Sequence, residues 1–293
     1  MSVALVVVNF ASSSLLSTNL AGRPLDEAVS HVVVVDNLST AEESRRVREL
    51  CATQGWELVE LPSNEGFGAG VNAGVARARQ LGCTHVLALN PDARIDPESV
   101  RCLAAASASD PRALVGPRIL RSDGAVWFAG QVLDPRTGRT RRARDDELGG
   151  DRTWQTGACF LAALPMWDEV GGFDDDYFLY WEDVDLSWRW RESGGTLVLV
   201  DDATAIHEVG GTQDGAGKSP LYVYYNCRNR LLFARKRLGS RNGRRWWPGA
   251  PGYAWSVATR GSRRMLARHP LLLWSALRGT IAGAFGPFTP DMN

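Results

Sequence analysis

The sequence predicts an α/β fold: a Rossmann-like, mostly parallel sheet flanked by helices, then a mixed second half and a basic helical tail. Two observations carry this reading. Residues 3–8 and 32–35 are unbroken apolar runs rich in valine, the form taken by strands buried on both faces of a parallel sheet. Strand-like and helix-like stretches alternate four times in the first ninety residues, the rhythm of an open doubly wound sheet whose ligands bind beyond the carboxyl ends of its strands.

The elements follow in order. After the strand at 3–8 comes a helix over 12–21, the strand at 32–35, and a helix over 40–54 that Thr40 opens ahead of Glu42 and Glu43. A strand at 57–61, a helix over 69–81 closed by Gly82 and a strand at 85–89 complete the first half. A helix over 97–108 leads into short strands at 114–116, 125–133 and 154–164, with the Arg-, Asp- and Gly-rich segment 134–151 expected to be a mobile loop. A helix over 181–193 ending at Gly194 and Gly195, a strand at 196–200, a glycine-rich loop at 210–217 and a long helix over 221–238 finish the body. The expected division is one domain over 1–240, with a nucleotide-binding-like half (1–110) and a mixed half (111–240), plus an appendage over 241–293.

Composition narrows the function classes. With 44% hydrophobic and 23% charged residues in 293, disorder, collagen and a disulfide scaffold are excluded. Five scattered cysteines without a Cys-x-x-Cys pair read as reduced structural thiols and, with no signal-like N-terminus, imply a cytoplasmic protein. The zero net charge conceals a split: residues 226–293 hold thirteen Arg or Lys against Asp291 alone, a balance of +12, so residues 1–225 carry −12. The longest apolar stretch, 270–288, is broken by Arg278 and diluted by glycines, a poor membrane span.

Five segments could carry chemistry. Asp36 ends the second strand, where its carboxylate could meet a ribose or base edge, although Asp and Asn there also serve as turn and cap residues. Asn64-Glu65-Gly66-Phe67-Gly68-Ala69-Gly70-Val71-Asn72 opens a helix; its glycines either admit an anionic ligand to the helix N-terminus or allow tight helix packing. Asn90-Pro91-Asp92 ends the fourth strand, well placed to hold Mg2+ or Mn2+ against a diphosphate, or else a simple turn. The acid cluster 174–185 contains Glu182 and Asp183, where burial against aromatics would raise a carboxyl toward a useful general base and the helix dipole would lower it. Trp181, Val184 and Trp188 share a spacing that faces the core. His207 ends a strand before a glycine loop, and Arg228 and Arg230 sit near the start of the last helix.

In this order the segments resemble the family 2 glycosyltransferases of the GT-A fold over residues 3–240, through Val-Val-Val-Asn-Phe (6–10), Val-Asp-Asn (35–37), the 64–72 segment, Asn-Pro-Asp (90–92) and Trp-Glu-Asp-Val-Asp-Leu (181–186). Within that family the chain is similar to the rhamnosyltransferase-type branch. The resemblance implies a nucleotide-diphosphate sugar (UDP-, dTDP- or GDP-linked), a divalent metal, Mg2+ or Mn2+, and inversion at the anomeric carbon. It assigns Asp36, Asn9, Asn64, Gly66, Phe67, Asn72 and Asn90 to the nucleotide-sugar pocket, Asp92 and His207 to the metal, and Arg228 to the diphosphate. Asp183 becomes the general base with Glu182 the next candidate, and Trp181 and Gly157 fall on the acceptor side. Asn90 stands where the family commonly has an aspartate, which implies modest metal affinity.

The acceptor is expected to be a glycan, lipid-linked or small-molecule hydroxyl, a polyprenyl-diphosphate-linked glycan being one such candidate. The alternatives are a soluble enzyme decorating a small natural product and a non-catalytic sugar-nucleotide-binding relative. Asn242-Gly243-Arg244-Arg245-Trp246 is similar to the Gln-x-x-Arg-Trp motif of processive synthases but lacks the glutamine, so a single transfer is expected. Arg244, Arg245, Trp246, Trp247, Trp255, Arg260, Arg263, Arg264 and Arg268 interleave cations with aromatics. That tail reads either as a peripheral contact with the inner face of the cell membrane or as a helical segment packed on the acidic body, at a homodimer interface for example. An overall pI near 6.9 and the acid cluster argue against nucleic acid as a partner.

Overall fold

Alternation along the first strand sets the architecture. In β1 (Val3–Asn9), Val3, Leu5 and Val7 enter one core layer while Ala4, Val6 and Val8 enter a second on the opposite face, so an unbroken apolar run is what this position requires. The computed structural model describes residues 1–23, 25, 28–208, 219–239, 243–259 and 271–287.

The elements in the first half are β1, α1 (Ser13–Asn19), β2 (His31–Asp36), α2 (Ala41–Gln54), β3 (Glu57–Glu60), α3 (Phe67–Gln80), β4 (His85–Leu89), β5 (Ala93–Ile95) and α4 (Pro97–Ser109). The second half contributes β6 (Ala113–Leu120), β7 (Val126–Phe128), β8 (Gln131–Asp134), β9 (Arg139–Arg142), β10 (Thr153–Trp154), β11 (Cys159–Ala163), α5 (Leu164–Val170), α6 (Glu182–Glu192) and β12 (Thr196–His207). Three helices close the described chain: α7 (Pro220–Arg237), α8 (Ala250–Ala258) and α9 (Leu271–Phe285).

Nine strands form the main sheet in the order β3-β2-β1-β4-β11-β6-β12-β5, with β7 paired to β6. β1, β2, β3 and β4 are parallel; β11 is antiparallel to both β4 and β6, so β6 and its parallel neighbour β12 run with the first four. Only β11, β5 and β7 run against them. Because β1, β2, β4 and β12 share a direction, their carboxyl ends (Asn9, Asp36, the Asn90 turn and His207) fall at one edge of the sheet.

Local chemistry places the helices. Thr40 accepts from the Glu43 amide at 3.1 Å and Asp96 from the Ser99 amide at 2.7 Å, each capping its helix. Gly70 and Gly74 of α3 lie against the side chains of Val8 and of Val6 and Val35, so these two glycines serve close helix-to-sheet packing.

Four expectations change. Segment 134–151 is not a loop throughout: β9 pairs with β8 and a helical turn spans Asp145–Glu147, held by Arg141 on Glu147. β12 extends to His207, seven residues past the expected end, because β6 and then β5 supply partners along it. The 125–133 stretch breaks into β7 and β8 at Gly130, whose φ of +81° interrupts the strand. The 154–164 stretch divides between β10 and β11. The loop at 210–217 lies outside the described residues, as do Arg260, Arg263, Arg264, Arg268 and Asn242.

The tail aromatics also divide. Trp246 is fully buried against Phe233 (ring centroids 5.9 Å) and Trp181 (6.1 Å), with its indole N–H donating to the Pro135 carbonyl at 2.9 Å, so it is a core residue and no part of an interfacial belt. Arg230 stacks on Trp246 and Tyr253 in the same cluster. The five cysteines are free thiols, and burial pushes Cys51 up to about 11 and Cys227 up to about 12, which keeps both protonated.

Candidate active site

Asn9 and Asp36, expected in the nucleotide-sugar pocket, lie at the ends of β1 and β2. Register pairs Asn9 with Asp36, and the Asn9 amide donates to Asp36 Oδ1 at 3.1 Å while its oxygen accepts from Ser12 Oγ at 2.9 Å. Both Asn9 and Asp36 are buried, whereas Phe10 and Leu38 beside them are exposed apolar residues. Asn37, quoted in the Val-Asp-Asn motif without a role, organises the next loop. Its amide donates to Asn64 Oδ1 at 3.0 Å and to the Gly66 carbonyl at 3.1 Å, and its oxygen accepts from the Glu65 amide at 2.9 Å.

Gly66 has φ of +91°, and a side chain there would run into the Phe178 carbonyl, which accepts from the Phe67 amide at 3.1 Å. The loop is thereby tied to the segment leading into α6. Asn72 has a different position from the one expected at the pocket: its oxygen accepts from the Phe173 amide at 3.0 Å and its amide donates to the Phe173 carbonyl at 2.9 Å. It latches α3 to the acid segment.

The two residues expected to hold a metal meet at the ends of β4 and β12. His207 Nε2 lies 2.9 Å from Asp92 Oδ1, both residues are buried, and His207 Nδ1 has no hydrogen-bond partner among the described residues. A carboxylate and an imidazole at this separation fit adjacent positions around an octahedral cation with bonds of about 2.1 Å, whose neighbouring ligands stand ~3 Å apart. No group of three or more metal-ligating side chains occurs among the described residues, and Asp92 and His207 are the two candidate donors that the strand ends bring together. Asn90 contributes backbone: its amide donates to the Ala158 carbonyl at 2.9 Å and its carbonyl accepts from the Ala93 amide at 3.0 Å.

That Asn90–Ala158 bond carries the structure to the acids, because the next residue back, Gly157, donates its amide to Asp183 Oδ2 at 3.2 Å. Asp183 Oδ1 accepts from the Val184 amide at 2.8 Å. A Cβ on Gly157 would sit 3.0 Å from the Phe67 ring and 3.7 Å from Asp183, so this glycine keeps room where the nucleotide loop and the acids converge.

The acid cluster separates by partner. Asp174 and Asp176 pair with Lys236, and Asp174 and Asp185 with Arg237; Arg189 also holds Asp185 at 2.7 Å. Glu182 and Asp183 have no cation among the described residues. Burial raises Asp183 to about 6 against the pull of its amide donors. Burial, with the Asp183 charge beside it, pushes Glu182 well above the usual carboxylate range. Burial thus shifts both carboxyls of this adjacent pair toward their protonated forms.

The turn before these acids is strained: Tyr180 and Trp181 have φ of +66° and +74°. Fully buried Asn229 of α7 holds it, donating to the Leu179 carbonyl at 2.9 Å and the Tyr180 carbonyl at 2.7 Å. Arg228, expected at the diphosphate, is buried and donates to the Asp176 carbonyl at 3.0 Å and to Asn229 Oδ1 at 2.7 Å, bracing that clamp. Trp181, expected on the acceptor side, is buried against Phe233, at 5.7 Å between ring centroids, and Trp246; its core-facing spacing prevails.

Asn229→Ala is expected to lower kcat about tenfold or more while leaving nucleotide affinity unchanged, and to cost about 1–3 kcal/mol by leaving buried carbonyls unpaired. Steady-state kinetics beside a denaturant titration checks this, and full kcat in a destabilised variant would remove the positioning role.

The comparisons with known proteins agree with this architecture. The profile of glycosyl transferase family 2 matches residues 14–165, just over half of the chain. An N-acetylglucosaminyl-diphospho-decaprenol L-rhamnosyltransferase from Mycobacterium tuberculosis is 28% identical over 305 aligned positions, covering 93% of this chain and 93% of its own. The low-salt glycan biosynthesis hexosyltransferase Agl10 of Haloferax volcanii is 25% identical over 236 positions, covering 78% of this chain and 74% of the relative. Among solved structures, the mannosyltransferase PcManGT from Pyrobaculum calidifontis, in complex with GDP-Man and Mn2+, superposes with a TM-score of 0.57 at 14% identity, over 97% of this chain and 87% of that one. GalNAc-T7 with UDP, GalNAc and Mn2+ also gives 0.57 at 13% identity, over 89% of this chain, which spans 58% of that longer one. These likenesses establish the GT-A fold. With the family profile covering half of its length, the chain belongs to glycosyl transferase family 2 and is a glycosyltransferase.

Proposed function

We propose that this enzyme moves one sugar, rhamnose or another deoxyhexose, from a nucleoside diphosphate to a hydroxyl of a polyprenyl-diphosphate-linked glycan, with inversion at the anomeric carbon. The observation that carries the mechanism is the pair of unpaired acids at the start of α6, with Asp183 raised to about 6 and held by the Gly157 amide next to the Asn90 turn. The lipid-linked acceptor is supported by the mycobacterial relative, whose name specifies a decaprenol diphosphate and whose length matches.

In this reading Phe10 and Leu38 wall the base, Asp36 meets the nucleoside, and the Asn64–Phe67 loop, fixed by Asn37, offers backbone to the donor. Asp92 and His207 would hold a divalent cation, whose charge offsets that of the leaving diphosphate. The imidazole favours Mn2+ over Mg2+, which prefers oxygen ligands throughout. Asp183 accepts the proton of the acceptor hydroxyl as that oxygen forms a bond to the anomeric carbon; the bond to the diphosphate oxygen breaks and its electron pair leaves with the diphosphate. A single displacement of this kind inverts the configuration. Glu182, held protonated beside Asp183, keeps a second negative charge from the base.

A calorimetric panel of UDP, dTDP and GDP and their sugars, each with Mn2+, Mg2+ or EDTA, tests the donor side. One nucleotide is expected to bind tightly only with metal, and its sugar conjugate to transfer to a short-chain polyprenyl-diphosphate N-acetylhexosamine. Binding without turnover on any acceptor would instead favour a sugar-nucleotide-binding relative.

A further inference from the structure

Helix α9 is inside out for a helix at a protein surface. Apart from Leu272 it buries small residues, and it leaves its other large apolar ones in solvent. Leu272, Ala276, Gly279 and Gly283 form the buried face, and side chains at Gly279 and Gly283 would run into the Tyr224 and Arg228 carbonyls of α7. Leu271, Leu273, Trp274, Leu277, Ile281 and Phe285 are all exposed, none by less than 43%. At 100° per residue the two sets fall on opposite sides of the helix. They include half of the large exposed hydrophobic residues found in the described chain, gathered on fifteen residues. Scattered exposed leucines need no explanation; a contiguous face of this kind marks a contact.

Charge identifies what it contacts. The helix carries one formal charge, Arg278; Arg244 and Arg245, exposed and cationic, stand shortly before Trp247, whose ring packs on Phe285 of α9 at 5.2 Å between centroids. Lys236 and Arg237 are paired with acids of the body and Arg228 and Arg230 are buried, but beyond them residues 241–293 hold eight arginines against one acid, Asp291. A second copy docking through this face about a two-fold axis would bring two such cationic regions together, whereas an anionic bilayer surface attracts the region and accepts the apolar face at once. At fifteen residues α9 is too short to span, and no described helix is long and apolar enough to cross a membrane. A helix of this length with a broad apolar face and flanking arginines lies in the plane of the interface, with Trp274 at headgroup depth.

We propose that α9 docks the enzyme on an anionic lipid bilayer through Trp274, Leu277, Ile281 and their apolar neighbours. This docking stands on the helix alone. Its benefit to catalysis, bringing a lipid-linked acceptor to a site one helix away through α7, rests on the function proposed above.

The test is co-sedimentation of the full chain with vesicles made of equal parts phosphatidylglycerol and phosphatidylcholine, against vesicles of phosphatidylcholine alone. The chain is expected to bind the anionic vesicles preferentially, with binding weakened by about 0.5 M salt. Trp274→Ser, Leu277→Ser and Ile281→Ser together are expected to reduce that binding about tenfold or more, with melting temperature and nucleotide affinity unchanged. Failure of the intact chain to bind, or equal binding by the triple variant, overturns the proposal. So does a stable dimer that the triple variant dissociates while neither protein binds vesicles, since the face would then serve self-association. Turnover with a water-soluble acceptor is followed in parallel: its absence with vesicle binding intact counts against the proposed reaction and leaves the docking standing.

Discussion

Asp183→Asn is expected to lower turnover by about 10²- to 10⁴-fold, the usual contribution of a positioned general base, while donor nucleotide binding persists. The side chain keeps its size but only one of two acceptors, so the Gly157 or the Val184 amide loses its partner, and persisting donor binding is what separates lost proton acceptance from lost shape. Glu182→Gln is the contrast: burial already holds that carboxyl protonated, so a neutral amide there should cost far less. The pH profile follows from the same environment. Asp183, raised to about 6, must be ionised to act, so kcat/KM is expected to climb with pH through about 6 and level off above it. Stability moves oppositely. A carboxyl whose folded value lies above its unfolded value near 4 contributes stability that is complete below about pH 4 and lost as pH rises through about 6. Asp183→Asn should remove that part of the slope of melting temperature against pH. A variant with undiminished turnover, or one whose pH profile keeps the same acid limb, would assign the base elsewhere.

The sheet and the sugar-nucleotide motifs were legible because each depends on residues close in sequence. Two-sided burial writes a run such as 3–8 directly, and Thr40 ahead of Glu43 announces a helix start. The candidate site was legible as positions and not as relationships. The cluster 174–185 reads as one block of negative charge; in the folded chain Lys236 and Arg237, more than fifty residues away, neutralise Asp174, Asp176 and Asp185 and leave Glu182 and Asp183 without a cation among the described residues. The family resemblance assigned Arg228 to the diphosphate, whereas its guanidinium supports the Asn229 clamp. Asn229 could not be found at all from local pattern, since the strained carbonyls it holds belong to a turn whose positive φ angles fall on Tyr180 and Trp181, where no glycine signals them. The six outward residues of α9 were visible as an apolar stretch, but which side of it faced α7 depended on where its glycines met another helix.

Asp92→Asn is expected to cost about 10²-fold or more in turnover, because it removes the one formal negative charge from the Asp92–His207 pair while preserving volume and an oxygen 2.9 Å from the imidazole. Asn90 already supplies an amide where the family commonly supplies a carboxylate, so the substitution leaves the strand end with two neutral amides and a histidine. A divalent cation then has no anionic protein ligand there, and only the phosphates of the donor would attract it. The binding readout is therefore sharper than the kinetic one. In the parent enzyme EDTA should weaken affinity for the cognate nucleoside diphosphate, whereas in Asp92→Asn the affinity should be low and indifferent to EDTA or Mn2+. His207→Asn should fall between the two, since it removes a neutral ligand and leaves the carboxylate. If Asp92→Asn keeps a metal-dependent nucleotide affinity equal to the parent's, the pair is a structural hydrogen bond between β4 and β12, and the charge facing the diphosphate must come from arginine or lysine side chains.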